Sequence, residues 1–307
     1  MTKHFLEIED YSGDELSELL KRAAELKRLY RGGGRDTCLS GKTMVMLFEK
    51  PSSRTRISFE VAMVHLGGSS IYIRPEDIGG LGKREPIKDL ARVLNGYVDV
   101  VAARTFAHES VVELARYSTV PVINALTDLA HPCQAMADML TIQEHRGELA
   151  GARLVYIGDG NNVARSLAAA CIRLGLVFVI VAPPGYELGK NFVGRLSREG
   201  GPGEIICLRE PKKAVRGADV IYTDTWTSMG QEAEKEKRVK DFAGYTVDST
   251  LMESAGSQAR VMHCLPAYRG LEITDEVIES EQSIVFDQAE NRLHFQRALI
   301  KYLCASV

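Results

Sequence analysis

Long hydrophobic stretches, a one-sided charge balance and paired cysteines are all missing from this 307-residue sequence. The longest apolar run, 176–182, suits a buried strand and is far too short for a bilayer core of about 30 Å. Acidic and basic residues nearly cancel, leaving a formal net charge of −3. No global field therefore draws the chain to nucleic acid or to an anionic membrane. The cysteines (Cys38, Cys133, Cys171, Cys207, Cys264 and Cys304) are scattered, and none forms a C-x-x-C pair. That pattern argues against a disulfide framework or a structural zinc site and fits a reducing cytosol. The first ten residues carry early acids and no apolar segment ahead of a small-residue cleavage site. No signal peptide is read there, and a cytoplasmic location is expected. What remains is ordinary: 45% apolar and 26% charged residues, in a chain long enough for two domains with cores of their own.

Periodicity switches repeatedly between helical and strand-like. Ser12 with Glu15 reads as a capping box, and Leu16, Leu19, Leu20, Ala23, Leu26 and Leu29 follow at helical spacing. A glycine run at 32–34 breaks the pattern. Strand-like runs at 44–48, 70–73, 98–102 and 121–124 then alternate with helices beginning near Ser53, Pro86 and Glu109. A longer helix is expected at 131–145. The rhythm restarts with strands at 154–157, 177–181, 205–208, 220–223 and 261–264, and a closing helix spans 288–303. This alternation predicts two open, parallel α/β sheets with helices on both faces, joined by interdomain helices. The expected domains are 1–135, with the 288–307 helix packing back on it, and 150–285.

In such folds ligands bind beyond the carboxyl ends of strands, at helix starts. Ser52-Ser53-Arg54-Thr55-Arg56 stands at one such place. Hydroxyls and a guanidinium crowd a first helical turn whose free N–H groups and positive dipole end favour an anion. Simple capping by Ser52 or Ser53 is the plainer reading. Arg104 ends the 98–103 run and reaches the same end of the sheet. His131-Pro132-Cys133-Gln134 has no companions at metal spacing, but a histidine and a glutamine can donate to a carbonyl oxygen. Asp224-Thr225-Trp226-Thr227-Ser228-Met229-Gly230 puts an acid at a strand end, where it suits a substrate amine or caps a helix. His263-Cys264-Leu265-Pro266 and the 287–292 segment ending in Arg292 are weak alone.

Two resemblances to nucleotide sites fail. Gly158 and Gly160 follow a strand as in a dinucleotide fingerprint. However, Val163 holds the third glycine position and no acid ends the next strand, which argues against an NAD-dependent oxidoreductase. Ser40-Gly41-Lys42-Thr43 looks like the tail of a P-loop, but Asp36 stands where its first glycine belongs and the strand follows instead of preceding.

Taken together, these segments in this order resemble the aspartate/ornithine carbamoyltransferase family across essentially the whole chain. The family's S-T-R-T-R appears with Ser53 in place of threonine, and its H-P-x-Q matches His131 to Gln134. D-x-x-x-S-M-G and H-C-L-P, which mark the ornithine branch, are intact at 224–230 and 263–266. The resemblance implies transfer of a carbamoyl group from carbamoyl phosphate to the δ-amine of L-ornithine, giving L-citrulline and phosphate. Other amine acceptors, or a non-catalytic relative, are the competing readings. It implies that Ser52, Ser53, Arg54 and Thr55 hold phosphate. Arg104, His131, Gln134, Arg292 and the backbone at Cys264 and Leu265 hold the carbamoyl end. Asn162, Asp224, Ser228 and Met229 bind ornithine. Arg54, Arg104, His131, Asp224 and Cys264 carry the chemistry. No metal or organic cofactor is implied, and the assembly is a homotrimer with a neighbour's loop completing each site. That loop departs here: 77–84 lacks the family's glutamine or histidine, which leaves Lys83 or Arg84 as substitutes, and Tyr268 replaces a usual histidine.

Overall fold

The computed structural model describes residues 2–305 apart from Met229, which places that expected ornithine contact outside the described residues. Residues 1–140 with 291–307 form one compact unit, and residues 141–290 form another. The chain crosses between them within two helices, Pro132–Arg146 and Val285–Cys304.

The first unit holds a four-stranded parallel sheet in the order β2-β1-β3-β4, with β1 Thr43–Phe48, β2 Ser69–Ile73, β3 Val100–Arg104 and β4 Val122–Leu126. The second holds five parallel strands in the order β7-β6-β5-β8-β9. They are β5 Arg153–Ile157, β6 Val177–Val181, β7 Glu204–Leu208, β8 Val220–Thr223 and β9 Arg260–His263. In each sheet the strand order reverses beside the first strand, between β1 and β3 and again between β5 and β8. In sheets of this kind right-handed crossovers put helices on opposite faces to either side of such a point, and ligands bind there, beyond the strand carboxyl ends.

The N-terminal helix Gly13–Arg31 starts at a reciprocal cap: Glu15 N–H donates to Ser12 Oγ at 3.2 Å, and Ser12 N–H donates to Glu15 Oε2 at 3.0 Å. It buries Leu16, Leu19, Leu20, Ala23 and Leu26. Burying a leucine contributes roughly 1.5–3 kcal/mol relative to leaving it in water. Leu29, expected on the same face, is largely exposed. It covers Gly34, where a Cβ would lie 2.4 Å from Leu29 Cδ1. Within the first unit Phe295 of the closing helix packs on Phe5 at 5.9 Å, and Lys27 donates to Asn291 at 2.7 Å.

Some boundaries differ from the sequence expectation. The 98–102 run becomes β3 at Val100–Arg104. Val98 is buried, yet its N–H bonds to Leu94 O in a turn, and Asp99 caps Thr43 N–H at 2.8 Å and pairs with Lys42. Val98 is apolar because it faces the core, not because it lies in the sheet. The last strand stops at His263, so Cys264 lies beyond it. Leu265 has a φ of +58°, a left-handed backbone that costs a branched side chain about 1–2 kcal/mol.

Candidate functional site

Ser52 to Arg56, Arg104, the 158–164 segment and Asp224 end or follow the strands that flank the two reversal points, while 131–134 and 263–266 end or follow the edge strands β4 and β9. In the first unit, β1 leads into the helix Ser53–His65, whose N-cap is Ser52. Ser52 Oγ accepts from Thr55 N–H at 3.3 Å and donates to Thr55 Oγ1 at 3.1 Å. Both the capping and the anion-site reading therefore have a physical basis. Thr55 is fully buried. Its hydroxyl accepts from Arg292 Nη2 at 2.6 Å and, at the 3.5 Å limit, from Arg104 Nη1. Arg104 closes β3 and Arg292 comes from the closing helix; both are buried. One threonine hydroxyl thus gathers two guanidinium groups beside a helix start, a concentration of positive charge suited to a phosphate. Ser53 is exposed and Arg54 half-buried on the same first turn.

His131 is buried in this group, and burial, together with the charges of Arg292 and Arg104, holds its pKa well below the ordinary 6.5. It is a neutral imidazole at cellular pH, fit to donate one hydrogen bond to a carbonyl oxygen. A base kept neutral in the fold protonates freely once unfolded. The stability it contributes is complete above pH 6.5 and declines as pH falls below that value. We therefore expect the acid-side drop in urea midpoint, followed from pH 7 to about pH 5, to be shallower in His131→Gln than in the parent protein.

Gln134 Nε2 donates one of its two hydrogens to Asp138 Oδ1 at 2.8 Å. The second hydrogen and the amide oxygen are left to meet a ligand, so the side chain can serve either a carbonyl oxygen or a carbamoyl NH₂. Cys133 is core: its thiol donates to Asn124 O at 3.5 Å, and burial pushes its pKa up to about 12.

The second unit collects the remaining residues around Asp224, which follows β8 and is buried. Its Oδ1 accepts from Thr225 N–H at 2.8 Å and from the Cys264 thiol at 3.1 Å. Its Oδ2 accepts from Asn161 Nδ2 at 2.8 Å. Asn161 escaped the sequence reading, which chose its neighbour Asn162, the first residue of the helix Asn162–Leu174. Asn161 is that helix's N-cap, and its Oδ1 accepts from Val163 and Ala164 N–H at 2.9 and 3.1 Å. An N-cap signal was present in the Asn161-Asn162 pair. What sequence could not show was the link across the sheet to Asp224.

The 224–230 segment is held from behind. Arg238 donates to Trp226 O at 2.9 Å and to Asp159 Oδ2 at 2.6 Å, while Trp226 stacks on Phe242 at 5.3 Å. Burial raises the Asp159 pKa, and the Arg238 ion pair opposes that rise. Ser228 is half-buried, with its N–H bonded to Gln231 Oε1 at 3.1 Å. Gly160 has a structural reason: a Cβ there would lie 2.7 Å from Leu188 N and 2.8 Å from Glu187 C, both backbone.

Asp224, His263 and Cys264 bring ligand-type atoms within 4.8 Å of one another. His263, however, has both ring nitrogens engaged. Nδ1 accepts from Leu265 N–H at 2.8 Å and Nε2 lies 3.1 Å from Glu272 Oε1. Ligation would break one of these contacts. In the 77–84 segment Gly79, Gly80 and Gly82 take positive φ, and Lys83 and Arg84 are exposed. Lys42 of the apparent P-loop pairs with Asp99 at 2.7 Å and precedes its strand. Among the described residues no helix is long and apolar enough to cross a membrane.

Known proteins are similar to this chain in sequence and in fold. Residues 3–144 match the family model described as aspartate/ornithine carbamoyltransferase, carbamoyl-P binding domain, and residues 150–303 match its Asp/Orn binding domain. The ornithine carbamoyltransferase of Archaeoglobus fulgidus is 50% identical over 298 residues, 97% of this chain and 96% of that protein. The Pyrococcus furiosus protein, named as anabolic ornithine carbamoyltransferase, is 47% identical over 304 residues, 98% of this chain and 96% of its own length. A solved structure of ornithine carbamoyltransferase from Pyrococcus furiosus superposes with a TM-score of 0.96, covering 100% of this chain and 98% of that one at 47% identity. The Thermus thermophilus ornithine carbamoyltransferase structure gives 0.89 at 42% identity, covering 99% of each chain.

Proposed function

Because the chain belongs to the aspartate/ornithine carbamoyltransferase family, we propose that it transfers the carbamoyl group of carbamoyl phosphate to the δ-amine of L-ornithine, yielding L-citrulline and phosphate. The observation that carries this reading is the pair of half-sites, each at its sheet's reversal point. One is a cationic group around Thr55, and the other is a carboxylate, Asp224, bonded to Asn161 and Cys264.

Residues 1–135 with the closing helix receive carbamoyl phosphate, and 150–285 receive ornithine. Ser52, Ser53, Arg54 and Thr55 hold the phosphate. Arg104 and His131 donate to the carbamoyl oxygen, the Gln134 oxygen accepts from the carbamoyl NH₂, and Arg292 and the backbone at Cys264 and Leu265 complete the grip. Asn162, Asp224, Ser228 and Met229 bind ornithine. Attack of the neutral amine on the carbonyl carbon forms the C–N bond and drives negative charge onto the carbonyl oxygen. Preorganised donors stabilise that charge. The C–O bond to phosphate then breaks, and the leaving phosphate takes up the amine's proton. An alkylammonium has a pKa of about 10.4, so the site must favour the scarce neutral amine; Asp224 and Cys264 orient it. The acyl group arrives activated, so the chemistry calls for no further cofactor.

We further read the protein as a cytoplasmic homotrimer acting in arginine biosynthesis, the direction carried in the name of the Pyrococcus relative. Exposed Ile57 and Val64 on the Ser53–His65 helix and Ile71 on the edge strand β2 support an oligomeric face. Lys83 or Arg84 of the 77–84 segment is the side chain offered to a neighbour.

The test is a panel of acceptors with carbamoyl phosphate. L-Ornithine should give citrulline at a kcat/KM at least about 10²-fold above putrescine, N-acylornithine or aspartate, since a site built on buried polar groups rejects analogues that leave them unpaired. Preference for any other acceptor overturns the substrate assignment.

A further inference from the structure

We infer that Glu272 is a positioning residue for the transfer reaction, acting through His263 on the Cys264–Leu265 turn; this rests on the function proposed above. The argument begins with a donor that has no choice. Leu265 N–H can only donate, and it points at His263 Nδ1 from 2.8 Å. Nδ1 must therefore carry the lone pair, and the ring proton sits on Nε2. Nε2 faces Glu272 Oε1 at 3.1 Å, so the carboxylate receives that proton's hydrogen bond. His263 and Glu272 are both buried, so the carboxylate and not bulk solvent meets this proton.

Glu272 is itself fixed. Its carbonyl accepts from Val247 N–H at 2.9 Å, and its Oε1 also accepts from Tyr268 N–H at 2.6 Å. The main chain of His263 is held as well, its N–H donating to Gln288 Oε1 at 2.9 Å. The carboxylate thus selects one tautomer, and that tautomer alone can cap the N–H of a leucine in left-handed backbone. The capped turn presents Cys264, whose thiol donates to Asp224. Glu272 touches no reacting atom in this scheme; it sets the turn that does.

A double-mutant cycle tests the relay. Glu272→Ala is expected to lower kcat for citrulline formation about 10–100-fold, the usual cost of removing a group that orients a working histidine. The KM for carbamoyl phosphate should rise by less than about tenfold, since the shifted turn meets only its carbamoyl end while Thr55, Arg104 and Arg292 keep their own contacts. His263→Asn keeps an oxygen where Nδ1 stood, since both are bonded to Cγ, and removes the link to Glu272. It should retain more activity than His263→Ala. In the His263→Asn background, adding Glu272→Ala should cost less than about twofold more. An equal loss in both backgrounds, or parent-like turnover of Glu272→Ala, overturns the inference. Imidazole ¹⁵N shifts supply a readout independent of turnover: His263 should carry its proton on Nε2 in the parent and lose that fixed tautomer in Glu272→Ala. An unaltered tautomer also overturns it. If the parent makes no citrulline but shows the Nε2–H form and its loss, the functional reading fails while the relay stands.

Discussion

Arg54→Ala is expected to lower kcat/KM for citrulline formation by about 10²–10³, the cost of deleting one preorganised donor from a site where charge develops. Arg54 occupies the first turn of the Ser53–His65 helix, next to the Ser52 cap. There its charge adds to the helix dipole and the free N–H groups. Its fork can grip two phosphate oxygens at once, which the point charge of a lysine cannot. Arg54→Lys should therefore fall between alanine and the parent. The fold should not suffer. The turn is held by Ser52 and Thr55, and by Arg292 on Thr55, while Arg54 is only half-buried. Stability should stay within about 0.5 kcal/mol. Steady-state rates with both substrates varied, alongside a urea titration, check both halves. Parent-like turnover in Arg54→Ala would remove the segment from the phosphate-binding role.

This segment also shows why part of the site was legible in sequence and part was not. Polar residues clustered after a strand and before a helix are a local pattern, and local patterns survive in one dimension. The alternation of strand and helix is local too, which made both parallel sheets readable. What sequence could not carry was the partner of each polar group. Thr55 meets Arg292 across 237 positions, and Asn161 meets Asp224 across 63. Nothing near either residue encodes those distances. Asn161 and Asn162 both suit a helix start, and nothing local in the sequence marks Asn161 as the one bonded to Asp224. Val98 and Cys264 teach the complementary point. An apolar or motif residue beside a strand reads as strand, yet Val98 is buried in a turn and Cys264 belongs to a backbone bend. Burial sets the residue type, and backbone hydrogen bonding sets the element. Glu272 left no signal at all, because a single buried acid in a turn region looks like any solvated one.

Asp224→Asn should be the most informative change in the second unit. Asparagine matches aspartate in shape but replaces one acceptor oxygen with a donor. If its oxygen stays toward Thr225 N–H and the Cys264 thiol, its NH₂ faces Asn161 Nδ2, donor against donor. Asn161 cannot turn over to accept, because its own oxygen already caps Val163 and Ala164. The opposite orientation sets the new NH₂ against Thr225 N–H instead. Either way one hydrogen bond of the network is lost, together with the charge that faces the ornithine amine. Removing one member of a buried charge pair costs roughly 2–5 kcal/mol, so kcat/KM for ornithine should fall between about 30-fold and several thousand-fold. The KM for carbamoyl phosphate should change far less, since Thr55, Arg104 and Arg292 are untouched and only the Cys264 contact is disturbed. Asp224→Glu keeps the charge but extends the arm by one methylene against a buried network. It should not rescue the rate if the geometry at Asn161 and Cys264 matters as much as the charge. Ornithine saturation curves at fixed carbamoyl phosphate decide the matter. A parent-like kcat/KM for ornithine in Asp224→Asn would show that the amine is oriented elsewhere.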